Sequence, residues 1–169
     1  MDCKRALEET GGDLKKAADY LRQTGLAKAD KKMGRAANQG LIEVYVHAGG
    51  RIAAMVEVNC ETDFVARTPD FKALAKEIAM QVAAMNPRYV STNAIPDADW
   101  AALEDEFGDR KKAGEAVALY QQAFIRDPKR SIEELIREAV AKLGENVQVQ
   151  RFARFEVGAD RPAEADAAE

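Results

Sequence analysis

Cysteine is almost missing from this chain: Cys3 and Cys60 are the only two in 169 residues. A disulfide-stapled scaffold is therefore excluded, and the composition suits a reducing cytosol. No apolar run approaches the ~18 residues that a bilayer-crossing helix needs, and the first residues are polar and charged. Neither a membrane span nor a secretory leader is expected. Basic residues do not dominate either. Lys and Arg number 25 against 29 Asp and Glu, a formal charge of −4. Nucleic acid is not the expected partner, because neutralising phosphates calls for a basic surface. What is present suffices for a core: apolar residues make up 47% and charged residues 32%. Those proportions point to a folded cytoplasmic protein, one good-sized domain with room for a small appendage.

Enzyme motifs are missing as well. The chain contains no GxxxxGK[ST], no GxGxxG and no HExxH. The sole histidine, His47, could serve Cys60 as a base only if both pointed to one side of a hairpin. Strand alternation places Cys60 inward, as a small core residue, and His47 outward. No catalytic residue, metal or cofactor is expected.

The N-terminal segment reads as two short helices, with Cys3, Ala6 and Leu7 on the first. Gly11-Gly12 breaks the pattern and Asp13 caps the second helix, which carries Leu14, Ala17, Ala18 and Leu21 on one stripe. Gly25 is expected just past its end. A charged linker follows, with Lys28, Lys31, Lys32 and Arg35. Period-two alternation then predicts a hairpin: Ile42, Val44 and Val46 on one arm; Ile52, Ala54, Val56, Val58 and Cys60 on the other, all on a buried face. A helix from about Asp70 to Asn86 carries Phe71, Leu74, Ile78 and Val82 inward. A second spans Ala98 to Phe107, and the stretch from Gly108 to Asp127 reads as helix giving way to extended chain near Gln121–Ile125. Ser131 and Glu134 form a capping box for a helix ending at Gly144. A last strand is expected to alternate unbroken through Val147, Val149, Arg151, Ala153, Phe155 and Val157. The sum is an α+β fold: a three-stranded antiparallel sheet packed with helices on one face.

The informative site lies between the hairpin and the first core helix. Thr62-Asp63-Phe64-Val65 sets a bulky aromatic beside a carboxylate, where a turn can push a side chain into solvent. Val65 and Phe71 are also available to cover the core, so the local sequence admits Phe64 either inside or outside.

Around these residues, Glu57-Val58-Asn59-Cys60-Glu61-Thr62-Asp63-Phe64-Val65-Ala66-Arg67 resembles the signature of translation elongation factor Ts. That family is the guanine-nucleotide exchange factor for the GTPase elongation factor Tu. Met1-Asp2-Cys3-Lys4-Arg5-Ala6-Leu7, Met85-Asn86-Pro87-Arg88-Tyr89-Val90, Leu143-Gly144-Glu145-Asn146 and Arg151-Phe152 are similar to further family segments. The resemblance implies a ubiquitin-associated-like helical module at residues 1–25, here beginning at the family's second helix and so truncated. It also implies a linker at 26–39, an α+β core at 40–158 and a disordered acidic tail at 159–169. The core holds a single sheet repeat where larger members hold a second; short members supply the missing half by dimerising, so a homodimer is implied. In the family the Thr-Asp-Phe-Val segment intrudes near the GTPase's Mg²⁺. On this chain that makes Phe64 the wedge, Asp63 a hydrogen-bonding group for the partner, Thr62 the cap of the turn and Val65 its anchor. By the same resemblance Met1, Lys4 and Lys32 meet a helix of the GTPase domain. Two competing readings are an adaptor that binds a partner helix without exchange, and a thiol enzyme using Cys60.

Overall fold

A computed structural model describes residues 1–159. The expected acidic tail lies outside the described residues, apart from Ala159.

Two N-terminal helices open the chain, α1 (Asp2–Glu9) and α2 (Leu14–Asp30). Asp13 caps α2, its Oδ1 accepting the amides of Lys15 and Lys16 at 2.9 and 3.0 Å. Ala6 and Ala17 are buried, while Leu14 and Ala18 face solvent, so the expected α2 stripe is only partly used. Nor does α2 stop at Gly25. It runs on to Asp30, through the first residues of the expected linker. The reason is tertiary: α2 lies so close to a later helix that a Cβ on Gly25 would touch Ala141 at 3.6 Å. Ala29 is fully buried there, and Asp30 pairs with Arg137. Packing overrides glycine's poor helix propensity.

The central sheet has the order β1 (Gln39–Val46), β2 (Ile52–Cys60), β5 (Val147–Glu156), antiparallel throughout. Its middle strand behaves as the sequence predicts, with Ala54, Val56, Val58 and Cys60 buried. The first strand does not. Leu41 and Tyr45 pack on the core, opposite Val58 and Ala54, and Ile42, Val44 and Val46 are each more than half exposed. Both faces of β1 carry bulky residues, so its own pattern could not choose the face; the register with β2 does. The unbroken alternation expected for β5 is also interrupted. Glu57 pairs with Arg151 and Val58 with Val149, which leaves Gln150 as an extra, bulged residue. Before the bulge Val147 and Val149 point inward. Beyond it, Phe152 packs on the core and Phe155 turns outward, 71% exposed.

Against the inner face lie α4 (Pro69–Met85) and α7 (Ile132–Leu143). Phe71, Ile78, Val82, Ile136 and Val140 are buried in the core that these helices form with the sheet. The α4 stop at Asn86 (φ 47°), the Ser131/Glu134 capping box and Gly144 of α7 are as the sequence predicts; α4 begins one residue before Asp70, at Pro69, with Thr68 as its cap. Between them, α5 (Trp100–Phe107) and α6 (Arg110–Val117) close a satellite cluster around Trp100, Leu103 and Val117. A ribbon of β3 (Ala123–Phe124) and β4 (Asp127–Ser131) follows. β4 has no apolar alternation to predict it; pairing with β3 and the bonds of Arg130 to Asp127 (2.8 Å) and Glu138 (2.6 Å) hold it. The architecture is the expected α+β class. Among the described residues no helix is long and apolar enough to cross a membrane.

At the start of β1 the strands approach too closely for any side chain. A Cβ on Gly40, at φ 152°, would fall 2.1 Å from the Val58 carbonyl oxygen. Gly40→Ala is therefore expected to destabilise the fold by about 2–3 kcal/mol, measured by urea unfolding, well above the ~0.5 kcal/mol of an ordinary surface change.

Candidate functional site

Where β2 ends, the chain must reverse onto α4, and it does so in two capped steps. Cys60 is fully buried and its thiol donates to the Thr62 carbonyl at 3.1 Å. Thr62 is extended (φ −126°, ψ 153°) and caps the one-turn helix α3 (Asp63–Ala66), its Oγ1 accepting the Val65 amide at 3.4 Å. Thr68 then caps α4 through the Phe71 amide at 3.3 Å. In a single turn successive side chains point about 100° apart. Ala66 is buried and Val65 packs on the core, so Phe64 is left on the outside. It is 78% exposed. Of the two placements the sequence admitted, the chain adopts the outer one.

Asp63 begins α3 and pairs with Arg67 at 2.7 Å. The remaining polar contacts come from the loop between α7 and β5. Glu145 accepts the Thr62 amide at 2.9 Å and its hydroxyl at 2.6 Å. In the opposite direction Glu61 accepts the Asn146 amide at 2.7 Å and lies 3.7 Å from Arg35. Asn146 is buried and its Nδ2 donates to the Arg35 carbonyl at 2.6 Å. Sequence reasoning missed Glu61, Glu145 and Asn146 as parts of this site. Their partners lie 83 and 85 positions away, beyond any periodicity.

The other predicted contact residues are dispersed. Lys32 reaches this loop, donating to the Gly144 carbonyl at 2.6 Å. That places a cation at the C-terminus of α7, where the helix dipole favours it. Met1 is fully exposed, and Lys4 lies 3.7 Å from Glu8 on α1. The polar contacts of α1 stay within α1 and α2, including the Lys28–Asp2 pair at 3.1 Å, which holds the Asp2 carboxyl below its usual range.

A Cys60–His47 pair is not assembled. The register sets Cys60 opposite Gln39 and Val46 opposite Ala53, so the two residues occupy opposite ends of the hairpin. Burial, with the Glu145 carboxylate adding to it, pushes the Cys60 thiol above its ordinary value, and a protonated buried thiol is a poor nucleophile.

Residues 27–111 match the family model described as Elongation factor TS. Curated relatives with similar sequences are the elongation factor Ts of Thermoanaerobacter sp., 47% identical over 180 residues, covering 94% of this chain and 87% of the relative. The elongation factor Ts of Syntrophomonas wolfei is 49% identical over 179 residues (94% and 83% of the two chains). That of Anaeromyxobacter dehalogenans is 48% identical over 178 residues (94% and 81%).

The geometry makes a direct stability prediction. Phe64→Ala should change unfolding free energy by no more than about 0.5 kcal/mol, as for surface residues. A neighbouring core truncation, Phe71→Ala, should cost ~3–5 kcal/mol in the same denaturation experiment.

Proposed function

The chain belongs to the elongation factor Ts family of translation elongation factors, and on that premise we propose that it is the guanine-nucleotide exchange factor of elongation factor Tu. It acts in the cytoplasm, binds the GDP form of the GTPase, promotes GDP release and stays bound until GTP arrives. The observation that carries this reading is a phenylalanine held 78% exposed on a turn with Thr62 hydrogen-bonded to Glu145 on one side and Val65 and Ala66 packed on the other. An exposed aromatic on a rigid mount is a ready-made anchor for a partner's pocket.

In this mechanism Phe64 enters the GTPase beside its Mg²⁺ site and shifts the side chains there. A Mg²⁺ ion at a bound nucleotide would supply a large local charge, so side chains displaced by Phe64 would weaken that interaction and loosen the nucleotide. Val65, packed on the core, resists the recoil. Asp63 exchanges its exposed Arg67 contact for donors of the partner. Thr62 keeps the turn capped, and Met1, Lys4 and Lys32 add contacts from the N-terminal module and linker. No bond is made or broken by this chain. Exchange follows from linkage: factor and nucleotide weaken each other's binding by the same factor, so the nucleotide pool sets the direction.

We assign the assembly as a homodimer. The outer face of the sheet carries Ile42, Val44, Val46, Met55 and Phe155 as exposed apolar residues, with the Glu57–Arg151 pair (2.7 Å) beside them. A contiguous apolar sheet face calls for a cover, and a second copy in a two-fold contact supplies one of matching shape.

The test of exchange is release of labelled GDP from elongation factor Tu. The chain should accelerate it many-fold, and Phe64→Ala should lower the saturated rate about tenfold or more, ~1.4 kcal/mol of lost stabilisation. Complex formation without acceleration would make the chain an adaptor instead. The homodimer is checked by sedimentation at tens of micromolar: wild type should run above the 18.5 kDa of one chain, and Phe155→Glu should run at that mass.

A further inference from the structure

One carboxylate in the candidate site has no part in the exchange mechanism above, although both its oxygens are spent on one residue of the turn. Glu145 takes the Thr62 amide on Oε2 and the Thr62 hydroxyl on Oε1, at 2.9 and 2.6 Å. Hydrogen bonds to an ionised acceptor are shorter and about twice as strong as neutral ones. The second bond also settles a question of direction. A threonine hydroxyl has one proton and lone pairs to spare. With the proton committed to Glu145, Oγ1 can meet α3 only as an acceptor, which is what the Val65 amide requires at 3.4 Å.

The carboxylate is itself fixed. Glu145 sits between Gly144, whose carbonyl takes Lys32 Nζ at 2.6 Å, and Asn146, buried and bound both to Glu61 (2.7 Å) and to the Arg35 carbonyl (2.6 Å). Thr62 precedes Phe64 by two positions. Any tilt of the cap therefore passes directly to the ring, which has no packing of its own to restrain it.

We infer that Glu145 is a positioning residue for Phe64: by orienting the Thr62 cap it holds α3 in the attitude that presents the ring to the partner. The consequence for rate rests on the exchange function proposed above; the consequence for the turn does not. A ring held in its bound attitude loses less freedom on insertion, so the clamp lowers the entropic cost of the exchange-active complex.

Two arms test this. In the free chain, hydrogen exchange at the Thr62 and Val65 amides should quicken about tenfold in Glu145→Ala, as a charge-assisted contact of this kind implies. Amides of Ile136 to Val140 in α7 should keep wild-type protection, showing that the helix is intact. Glu145→Gln should restore protection at Thr62, whose amide its side-chain oxygen can still accept, and less of it at Val65, because its NH₂ would donate to Oγ1 and release the hydroxyl proton that the carboxylate holds. In the GDP-release assay, Glu145→Ala should lower the saturated rate more than it raises the half-saturating concentration. That loss should shrink in a Phe64→Leu background, because both changes act through one ring. Unchanged protection at Thr62 and Val65 in Glu145→Ala overturns the inference, and so do additive losses in the double variant. A Phe64→Ala chain exchanging nucleotide at the wild-type rate removes the wedge role of Phe64, and a wild-type chain that binds the GTPase without accelerating GDP release removes the exchange reading; in either case the protection arm still decides what Glu145 does to the turn.

Discussion

Pairing of β2 with a neighbour on each side is the constraint on which the rest of the molecule depends. Its inner residues, Ala54, Val56, Val58 and Cys60, are part of the floor on which α4 rests, and α7 packs beside α4 on β5. Its register with β1 decides which side of that strand is covered, and its register with β5 places the bulge. Its last residue then launches the turn that exposes Phe64. The candidate site is thus an extension of the most deeply buried strand. A partner pushing on Phe64 would push against Val65 and Ala66, and through them against the core, which protein packing makes stiff.

Elements whose signals are local were legible before the fold was known. The α7 boundaries follow from Ser131, Glu134 and Gly144, each of which acts within one turn of the helix end. The α4 stripe and its stop at Asn86 are of the same kind. Misreadings arose where a distant surface decides. Gly25 marks a helix end by propensity, yet α7 holds α2 together across it. β1 has bulky residues on both faces, and only its pairing shows that Leu41 and Tyr45 are the inner ones. β4, with Pro128, Lys129 and Arg130 at its centre, has no pattern of its own.

The site divides in the same way. That Thr62 could cap a turn is written in the residue itself; that Phe64 faces outward depends on Val65 and Ala66 finding the core first. Glu61 and Glu145 belong to the site because two segments far apart in sequence exchange carboxylates across a gap. Each half appears in a motif, but only the folded chain shows that the halves meet.

The bulge at Gln150 decides which aromatic of β5 is inside and which is outside. One residue more on β5 than on its partner reverses the facing of everything after it while leaving Val147 and Val149 in place. After the bulge Phe152 fills the core opposite Val56, while Ala153 and Phe155 furnish the outer surface. Replacements at Ala153 or Phe155 can drift, or be tuned to what lies against the sheet, without disturbing how the interior is filled. Without that extra residue an unbroken alternation would turn Phe155 toward the core and Phe152 toward solvent.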